Sequence, residues 1–241
     1  MIDLHCHILP GIDDGASDIE SAIAMAQLAV SCGITTIVAT PHHLPGIYPT
    51  TAESVLETLS LLTTEIRARE IPLQILPGQE IYIEPQTLEK ILNRSLLTIN
   101  FTNYFLLELP FSQIPERAQE MVFRAGISGF TPILAHPERN IQIQQNPEII
   151  ANFTQSGALI QITGSSLVGR QGQETQKTAR ELLQRELVHV IASDAHTGES
   201  GIRDFLQASE YVSSFYGDEV ADRLTGLNPQ AIISGEKIPP Q

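Results

Sequence analysis

The sequence predicts an α/β fold in which one barrel-like domain carries its functional residues at the strand ends. Short apolar runs alternate with helical stretches along the chain, a pattern typical of parallel βαβ units. The length of 241 residues suits one α/β barrel. In addition, residue types that bind metal ions lie at or after the ends of most predicted strands. These three observations together favour a barrel over a sandwich.

The strands are predicted from short apolar runs that are bounded by turn residues. The third run is interrupted by Pro77 and Gly78, and we interpret it as one strand. The fifth ends before His136, because the proline that follows cannot continue the sheet ladder. The predicted strands cover residues 1–8, 35–40, 73–83, 104–109, 132–135, 158–162 and 188–192.

Helices are predicted between these strands from capping signals and helix-compatible patterns. Ser17 with Glu20 and Thr50 with Glu53 match the capping box that opens a helix. Pro115 suits the first turn of a later helix. The predicted helices cover residues 17–32, 50–70, 87–92, a segment that begins at 115, 174–186, 202–216, 218–224 and 229–233. No repeat or linker divides the chain, so residues 1–241 are predicted to form a single domain.

Composition argues against several classes of protein. A net charge of −14 with only 14 basic residues disfavours a long nucleic-acid interface. No apolar run approaches the ~20 residues that cross a bilayer, and no signal peptide precedes the first motif. Cys6 and Cys32 cannot form a disulfide framework and fit a reducing compartment. We therefore expect a cytoplasmic protein that neither binds nucleic acid nor inserts into a membrane.

Histidines and carboxylates lie at the strand ends along most of the chain. His5 and His7 share one face of a strand, because side chains alternate with period two. Asp194 and His196 repeat this spacing on the last strand. In an α/β barrel the carboxyl ends of the strands meet at one mouth, where active sites lie. The candidate ligands are His5, His7, Asp14, His42, Glu80, Glu108, His136, Asp194 and His196.

Each of these residues, taken alone, has an ordinary structural interpretation. A lone histidine in a strand is more often a hydrogen-bonded core residue, and a lone carboxylate often caps the next helix. Nine such residues on one rim cannot all be caps, and burying several carboxylates without cations would be very costly. Three divalent ions would outweigh the charges of Asp14, Glu80, Glu108 and Asp194. The pocket would then attract a phosphate dianion.

The motifs around these residues resemble those of the PHP (polymerase and histidinol phosphatase) superfamily. More narrowly, they resemble the bacterial capsule-biosynthesis tyrosine phosphatases of the CpsB/CapC/YwqE type. The resemblance extends from the first residue to about residue 205. Its motifs are Asp-Leu-His-Cys-His-Ile-Leu-Pro-Gly-Ile-Asp-Asp-Gly (3–15), Thr-Pro-His-His (40–43), Gly-Gln-Glu (78–80), Leu-Glu-Leu-Pro (107–110), His-Pro-Glu-Arg (136–139) and Ser-Asp-Ala-His (193–196).

This resemblance implies a distorted, TIM-like (β/α)7 barrel, the PHP fold, with three divalent metal ions. Manganese is the metal that the resemblance favours, with iron, zinc and magnesium as alternatives. Many members of the wider superfamily have a histidine at the position of Asp14, so the adjacent Asp13 is an alternative ligand. The implied ligand sets are His5, His7, Glu80 and Asp194 for one ion, Glu80, Glu108 and His136 for the second, and Asp14, His42 and His196 for the third.

The resemblance also implies hydrolysis of a phosphoester by water that the metals activate. The phenolate of tyrosine, with a pKa of ~10, is a better leaving group than an alkoxide. Arg139 and Arg203 would bind the non-bridging phosphate oxygens through their guanidinium groups, or they could form surface ion pairs. Neither Cys6 nor Cys32 has an arginine six residues later, so the loop of cysteine-dependent phosphatases is absent.

The implied substrate is a phosphotyrosine protein, namely the tyrosine-rich tail of a bacterial tyrosine kinase that regulates capsular or exopolysaccharide synthesis. Tyr48 and Phe111 could line the rim for such an aromatic substrate or simply pack there. One alternative is a phosphatase of a small phosphomonoester such as histidinol phosphate, and another is a degenerate, non-catalytic barrel that binds a kinase. A nuclease is disfavoured by the acidic charge. An amidohydrolase commonly uses a lysine at a strand end, and none of Lys90, Lys177 and Lys237 lies at one.

Overall fold

The computed structural model describes residues 1–197 and 200–238 of the chain. The strands are β1 (Ile2–Cys6), β2 (Thr36–Ala39), β3 (His42–Leu44), β4 (Tyr48–Pro49), β5 (Gln74–Pro77), β6 (Glu80–Tyr82), β7 (Tyr104–Glu108), β8 (Thr131–Ala135), β9 (Leu159–Thr163) and β10 (Val190–Ala192). The α-helices are α1 (Ile19–Ser31), α2 (Ala52–Ala68), α3 (Thr87–Leu92), α4 (Ala118–Ile127), α5 (Ile141–Gln145), α6 (Ile149–Gln155), α7 (Gly164–Val168), α8 (Gln173–Gln184), α9 (Ser200–Tyr216), α10 (Asp218–Asp222) and α11 (Asn228–Ser234). Single turns of 3-10 helix cover Ile99–Phe101 and Pro137–Arg139, and a π-helical turn covers Arg223–Leu227.

The strands form two sheets that together make a barrel. One sheet has the order β1-β2-β5 and the other the order β10-β9-β8-β7-β6-β3-β4. The pairs are parallel except for the β3–β4 hairpin. The two sheets are joined where β1 meets the segment after β10. There the amide of His7 donates to the carbonyl of Ala195 at 2.9 Å, and the amide of Asp194 donates to the carbonyl of His5 at 2.8 Å. Because β2 leads into β3 and β5 into β6, seven strand positions surround the barrel, and the predicted α/β barrel is confirmed.

The predicted strand at residues 73–83 is divided into β5 and β6. At the break, a Cβ atom on Gly78 would lie 2.8 Å from Cγ1 of Val38, so only glycine allows the chains to approach this closely. The break lets β5 pair with β2 while β6 pairs with β3. As a result, Glu80 at the start of β6 lies opposite His42 at the start of β3.

Helix starts differ from the predictions by a few residues. The N-caps of α1 and α2 are Asp18 and Thr51 rather than Ser17 and Thr50. In both helices a serine three residues later completes the capping box, a role that the prediction gave to a glutamate. Helix α4 begins three residues after Pro115. Helices α5, α6 and α7 were not predicted individually, since five to seven residues are too few to show a helical period.

Two apolar clusters fill the molecule, one outside the barrel wall and one inside it. The inner cluster takes alternate residues of the strands, such as Leu106 and Ile133, as the period of two requires. It also includes Ile232 and Ile233 of α11, which closes the end of the barrel opposite the ligands. No helix in the described ranges combines the length and hydropathy needed to cross a membrane.

An irregularity in β1 turns two histidines toward the barrel interior. The pairing register of β1 with β2 shifts between Asp3 and Cys6. Leu4 belongs to the inner cluster, whereas Cys6 belongs to the outer one. A bulge of this kind re-aims the side chains beyond it. His5 and His7 therefore lie on the inner side at the mouth, while Cys6 packs behind the wall.

Candidate metal centre

The nine predicted metal-binding side chains meet at the carboxyl-terminal mouth of the barrel. Their nitrogen and oxygen atoms form three groups, and within each group the atoms lie within 4.8 Å of one another. The groups are His7, Asp14, His42 and His196; His5, Glu80, His136 and Asp194; and His42, Glu80 and Glu108. The structure thus brings all nine together, although these groups divide them differently from the expected ligand sets.

Four ligand atoms are joined by five distances of 3.1–3.3 Å. Nε2 of His5 lies 3.1 Å from Nε2 of His7, 3.1 Å from Oε2 of Glu80 and 3.2 Å from Oδ1 of Asp194. Nε2 of His7 lies 3.3 Å from each of the same two carboxylate oxygens. A cation with four bonds of about 2.0–2.1 Å would separate such ligands by about 3.3 Å. These four atoms therefore fit one divalent cation, and they are the set expected from the resemblance.

Buried polar atoms without a hydrogen-bond partner give a second test of fit. Among the described residues they include Oε2 of Glu80, Oδ1 of Asp194 and Nδ1 of His42, which approach neighbouring ionisable groups without hydrogen-bond geometry. Buried polar groups are nearly always paired in proteins, because leaving one unpaired costs free energy. One divalent cation would satisfy both carboxylate oxygens, while Nδ1 of His42 lies 2.9 Å from the same Glu80 oxygen. The residues at this mouth are therefore suited to divalent metal.

Glu80 is fully buried at the centre of the ligand atoms. Its Oε1 lies 2.8 Å from Nε2 of His136, and its Oε2 lies 2.9 Å from Nδ1 of His42. Burial alone would raise the pKa of Glu80, but His5 and these two histidines hold that pKa well below its ordinary value. Burial and the nearby charge of Glu80 raise the pKa of Glu108 to about 7. A cation bound between the two carboxylates would remove the need for Glu108 to hold a proton.

The group of His7, Asp14, His42 and His196 lies closest to solvent. Oδ1 of Asp14 is 3.6 Å from Nε2 of His42 and 3.5 Å from Nε2 of His196, and the Asp14 side chain is 46% exposed. The ring of His196 stacks on that of His7 with the centroids 3.9 Å apart. Burial and the neighbouring His7 lower the pKa of His196, which favours the neutral imidazole that binds metal. An ion held here would be accessible from the mouth.

Asp13 faces a different set of partners from Asp14. Its Oδ2 lies 2.7 Å from Nδ1 of His7 and accepts the amide of His42 at 2.9 Å, while Oδ1 accepts the amide of Gly15 at 3.0 Å. A Cβ atom on Gly15 would lie 2.0 Å from the carbonyl of His7, so this turn requires glycine. Carboxylates behind metal-binding histidines commonly orient the imidazole in this way. The geometry favours Asp14 as the ligand and Asp13 as the residue that orients His7.

Gln161 was missed by the sequence analysis. Its fully buried side-chain oxygen lies 3.0 Å from Nδ1 of His5, the nitrogen turned away from the ligand cluster. If Nδ1 donates this hydrogen bond, the lone pair of His5 Nε2 is free to bind metal. The available signal was a glutamine inside the apolar run at 158–162, the predicted strand with no metal-binding residue type at its end.

Two of the candidate ligands have left-handed backbone conformations. The φ angles of His136 and Asp194 are 32° and 50°, values that residues other than glycine rarely adopt. Backbone strain of this kind concentrates at functional sites, where it is retained because it aims a side chain. Both residues follow the last residues of barrel strands and turn their side chains into the mouth.

The two predicted arginines lie in different surroundings. Nη1 of Arg139 is 2.6 Å from Oδ2 of Asp194, and Nη2 donates to the hydroxyl of Thr163 at 3.1 Å. Arg139 also lines both cavities above the ligands. Arg203 is exposed on α9 and is not among the residues that line those cavities. The predicted role of Arg203 in phosphate binding therefore stays a prediction.

The two cavities flank the ligands and differ in chemistry. One is lined, beside the ligands, mainly by apolar and aromatic side chains, including the predicted rim residues Tyr48 and Phe111. The other is lined by polar side chains such as those of Arg170 and Asp204. A phosphate bound at the metal centre would thus have an apolar surface on one side and a polar surface on the other.

The sequence is similar to those of proteins named tyrosine-protein phosphatases. The chain is 38% identical to the tyrosine-protein phosphatase YwqE of Bacillus subtilis over 244 aligned residues, which cover 100% of this chain and 96% of YwqE. It is 40% identical to the putative tyrosine-protein phosphatase CapC of Staphylococcus aureus, over 82% of this chain and 77% of CapC.

A solved structure is similar over the whole chain. It comes from a study of YwqE from Bacillus subtilis and CpsB from Streptococcus pneumoniae, described as unique metal-dependent tyrosine phosphatases. The TM-score is 0.96 at 37% identity, with 100% of this chain and 97% of that chain covered. The sequence model of the family described as "Capsular polysaccharide synthesis, CpsB/CapC" matches residues 1–234. The chain therefore belongs to the CpsB/CapC family.

Proposed function

We propose that this chain is a metal-dependent protein-tyrosine phosphatase. The observation that carries the proposal is the convergence of nine histidine and carboxylate side chains, four of which have ligand atoms spaced for one divalent cation. Relatives that align over most of this chain are named tyrosine phosphatases, and a structurally similar pair is described as metal-dependent. A non-catalytic barrel is disfavoured, because none of the nine side chains is missing from the mouth.

We propose that these ligands hold three divalent ions and that the metal is manganese. The residues that would hold them are His5, His7, Glu80 and Asp194, then Glu80, Glu108 and His136, and finally Asp14, His42 and His196. Such ions supply Lewis acidity toward phosphate oxygens and lower the pKa of bound water, so that hydroxide is available near neutral pH.

The chain's own residues would position the phosphate and the ligands. Arg139 has an Nη1 atom 2.6 Å from Asp194 and lies at the edge of both cavities, where its guanidinium can bind a non-bridging phosphate oxygen. Asp13 and Gln161 hold the outward nitrogens of His7 and His5, which leaves the inward nitrogens for metal. Cys6 packs behind the barrel wall and takes no part. Arg203 is a second candidate for phosphate binding that the geometry supports less.

We further propose that the physiological substrate is the tyrosine-rich tail of a bacterial tyrosine kinase that regulates capsular or exopolysaccharide synthesis. The description of the family as capsular polysaccharide synthesis proteins supports this context. The reaction would take place in the cytoplasm, and residues 1–241 would act as one metallophosphoesterase domain of the PHP type.

The experiment that tests the substrate class compares kcat/KM for a phosphotyrosine peptide with that for histidinol phosphate on one manganese-loaded preparation. We expect a clear preference for the peptide, because the rim beside the ligands is apolar and open. A preference for histidinol phosphate would assign the chain to small-molecule phosphatases and leave the metal centre in place.

A further inference from the structure

An apolar surface adjoins one side of the candidate metal centre. We call it the apolar lobe, and it consists of Leu44, Ile47, Tyr48, Tyr82, Pro110 and Phe111. Ile47 is 65% exposed and Phe111 is 50% exposed. Contiguous apolar surface that faces solvent usually marks a binding site. The apolar lobe is therefore suited to an occupant that is apolar where it meets the lobe.

The first half of the apolar lobe is built on the hairpin that also supplies His42. Strand β3 begins with His42, and Leu44 of this strand pairs with Tyr48 of β4. The ring of Tyr48 lies nearly parallel to the His42 imidazole, at 12°, with the centroids 5.8 Å apart. Tyr48 thus presents an aromatic face directly beside a proposed metal ligand.

The second half follows the strands that supply Glu80 and Glu108. Tyr82 is two residues after Glu80 on β6, so both side chains lie on the same face. Phe111 is three residues after Glu108, and its carbonyl accepts the amide of Ile141 at 2.8 Å, which anchors this loop. The Phe111 ring lies 5.7 Å from the imidazole of His136. Aromatic rings therefore stand against proposed ligands at two points on the same side of the mouth.

Among the residues that the structure describes, the opposite side of the mouth offers no comparable surface. Its cavity is lined by side chains such as Ser165, Gln171 and Arg170. The guanidinium of Arg170 lies 3.4 Å from the carboxylate of Asp204. Within the described part of the mouth, a phosphate at the metal centre would thus meet apolar surface in one direction, where a hydrocarbon leaving group can lie.

We propose that the apolar lobe receives the aromatic ring of the phosphorylated residue, with Tyr48 and Phe111 as specificity-determining residues; this rests on the phosphatase function proposed above. A ring placed there is removed from water against both side chains, whereas an alkyl phosphate leaves most of the apolar lobe exposed. Aromatic contacts and the apolar area that they bury favour aryl over alkyl phosphates in binding, before any difference in leaving-group reactivity.

The test measures binding without turnover. Calorimetry on manganese-loaded protein gives the dissociation constants of phenylphosphonate and methylphosphonate, which share the anionic group and differ in the ring. We expect phenylphosphonate to bind about tenfold more tightly to the wild type. Tyr48→Ala and Phe111→Ala should each reduce this preference and leave the methylphosphonate constant unchanged, whereas Tyr48→Phe should retain it. Phe123→Ala, at a 57% exposed phenylalanine of α4 outside both cavities, is the matched control and should change neither constant.

Two outcomes would overturn the inference. One is equal binding of the two phosphonates by the wild type, or a preference that survives both alanine substitutions. The other is a parallel loss for both phosphonates, because Tyr48 and Phe111 would then only support His42 and His136. Turnover of a phosphotyrosine peptide is assayed separately. A protein that prefers phenylphosphonate but hydrolyses no phosphotyrosine would refute the proposed function while upholding the assignment of the apolar lobe.

Discussion

Replacing Arg139 with alanine tests how the carboxylate of Asp194 is stabilised when no metal is bound. The two groups lie 2.6 Å apart, and their side chains are 17% and 3% exposed. Removing one partner of a buried ion pair costs ~3–5 kcal/mol, and the partial exposure of Arg139 suggests the lower end of that range. In a protein of this size 1 kcal/mol shifts Tm by ~2–4 °C. The metal-free variant should therefore unfold about 6–12 °C below the metal-free wild type.

The decrease in Tm caused by Arg139→Ala should be smaller in the metal-loaded protein, because bound cations also neutralise Asp194 and stabilise the folded state. Thermal unfolding followed by circular dichroism, with and without manganese, measures both differences. Arg139→Lys keeps the charge but loses the planar fork, so an intermediate Tm is expected. Arg117→Ala is the control, since it breaks an exposed ion pair with Glu120 and should leave both Tm values unchanged.

Arg139→Ala should also reduce kcat/KM on an aryl phosphate about 10²-fold, which is the usual effect of removing one donor to the charge that develops in the transition state. An Arg139→Ala protein that unfolds at the wild-type temperature when metal-free would refute the role of the ion pair. An equal loss of stability with and without manganese would contradict the placement of Asp194 among the metal ligands.

Three further predictions concern residues around the centre and in the barrel wall. Asp13→Asn should weaken metal binding about 10–100-fold in calorimetric titration, since Asp13 orients His7; unchanged affinity would contradict that role. Replacing Cys6 and Cys32 together with alanine should retain most turnover in a folded protein. Isolation of a phosphocysteine intermediate from the wild type would exclude the metal-dependent mechanism. Burial lowers the pKa of His189 from its ordinary value of 6.5 to about 4, so the folded state binds fewer protons than the unfolded state between these values. The contribution of His189 to stability is thus present above about pH 6.5 and lost as the pH falls toward 4. His189→Gln should flatten the decrease of Tm over this interval, and a decrease as steep as that of the wild type would contradict the assignment.

The barrel and the convergence of the candidate ligands were predictable because parallel strands end at one mouth. His5, Glu108 and Asp194 are far apart in the sequence, yet each lies at or just after the carboxyl end of an apolar run. The alternation of side chains along a strand then directs them inward, apart from the shift that the bulge in β1 introduces. The architecture of the barrel and the membership of the cluster follow from the same rule.

The details that escaped prediction depend on contacts that no local pattern encodes. The split at Gly78 follows from its close approach to Val38, which a single apolar run does not reveal. Strand β4 has two residues, too few for any period. Gln161 is not a common ligand type, so only its distance from His5 exposes its role. The choice between Asp13 and Asp14 required the positions of the surrounding imidazoles.

The most direct test of the central claim follows metal content and activity together. The protein is stripped exhaustively with a chelator, titrated with manganese, and assayed for bound metal per chain and for hydrolysis of a phosphotyrosine peptide. We predict that the stripped protein is inactive, and that hydrolysis returns as the metal content rises to three ions per chain. Full activity in the stripped protein, or restored activity in a chain that binds no manganese, would contradict the claim that this mouth is a metal-dependent phosphatase centre.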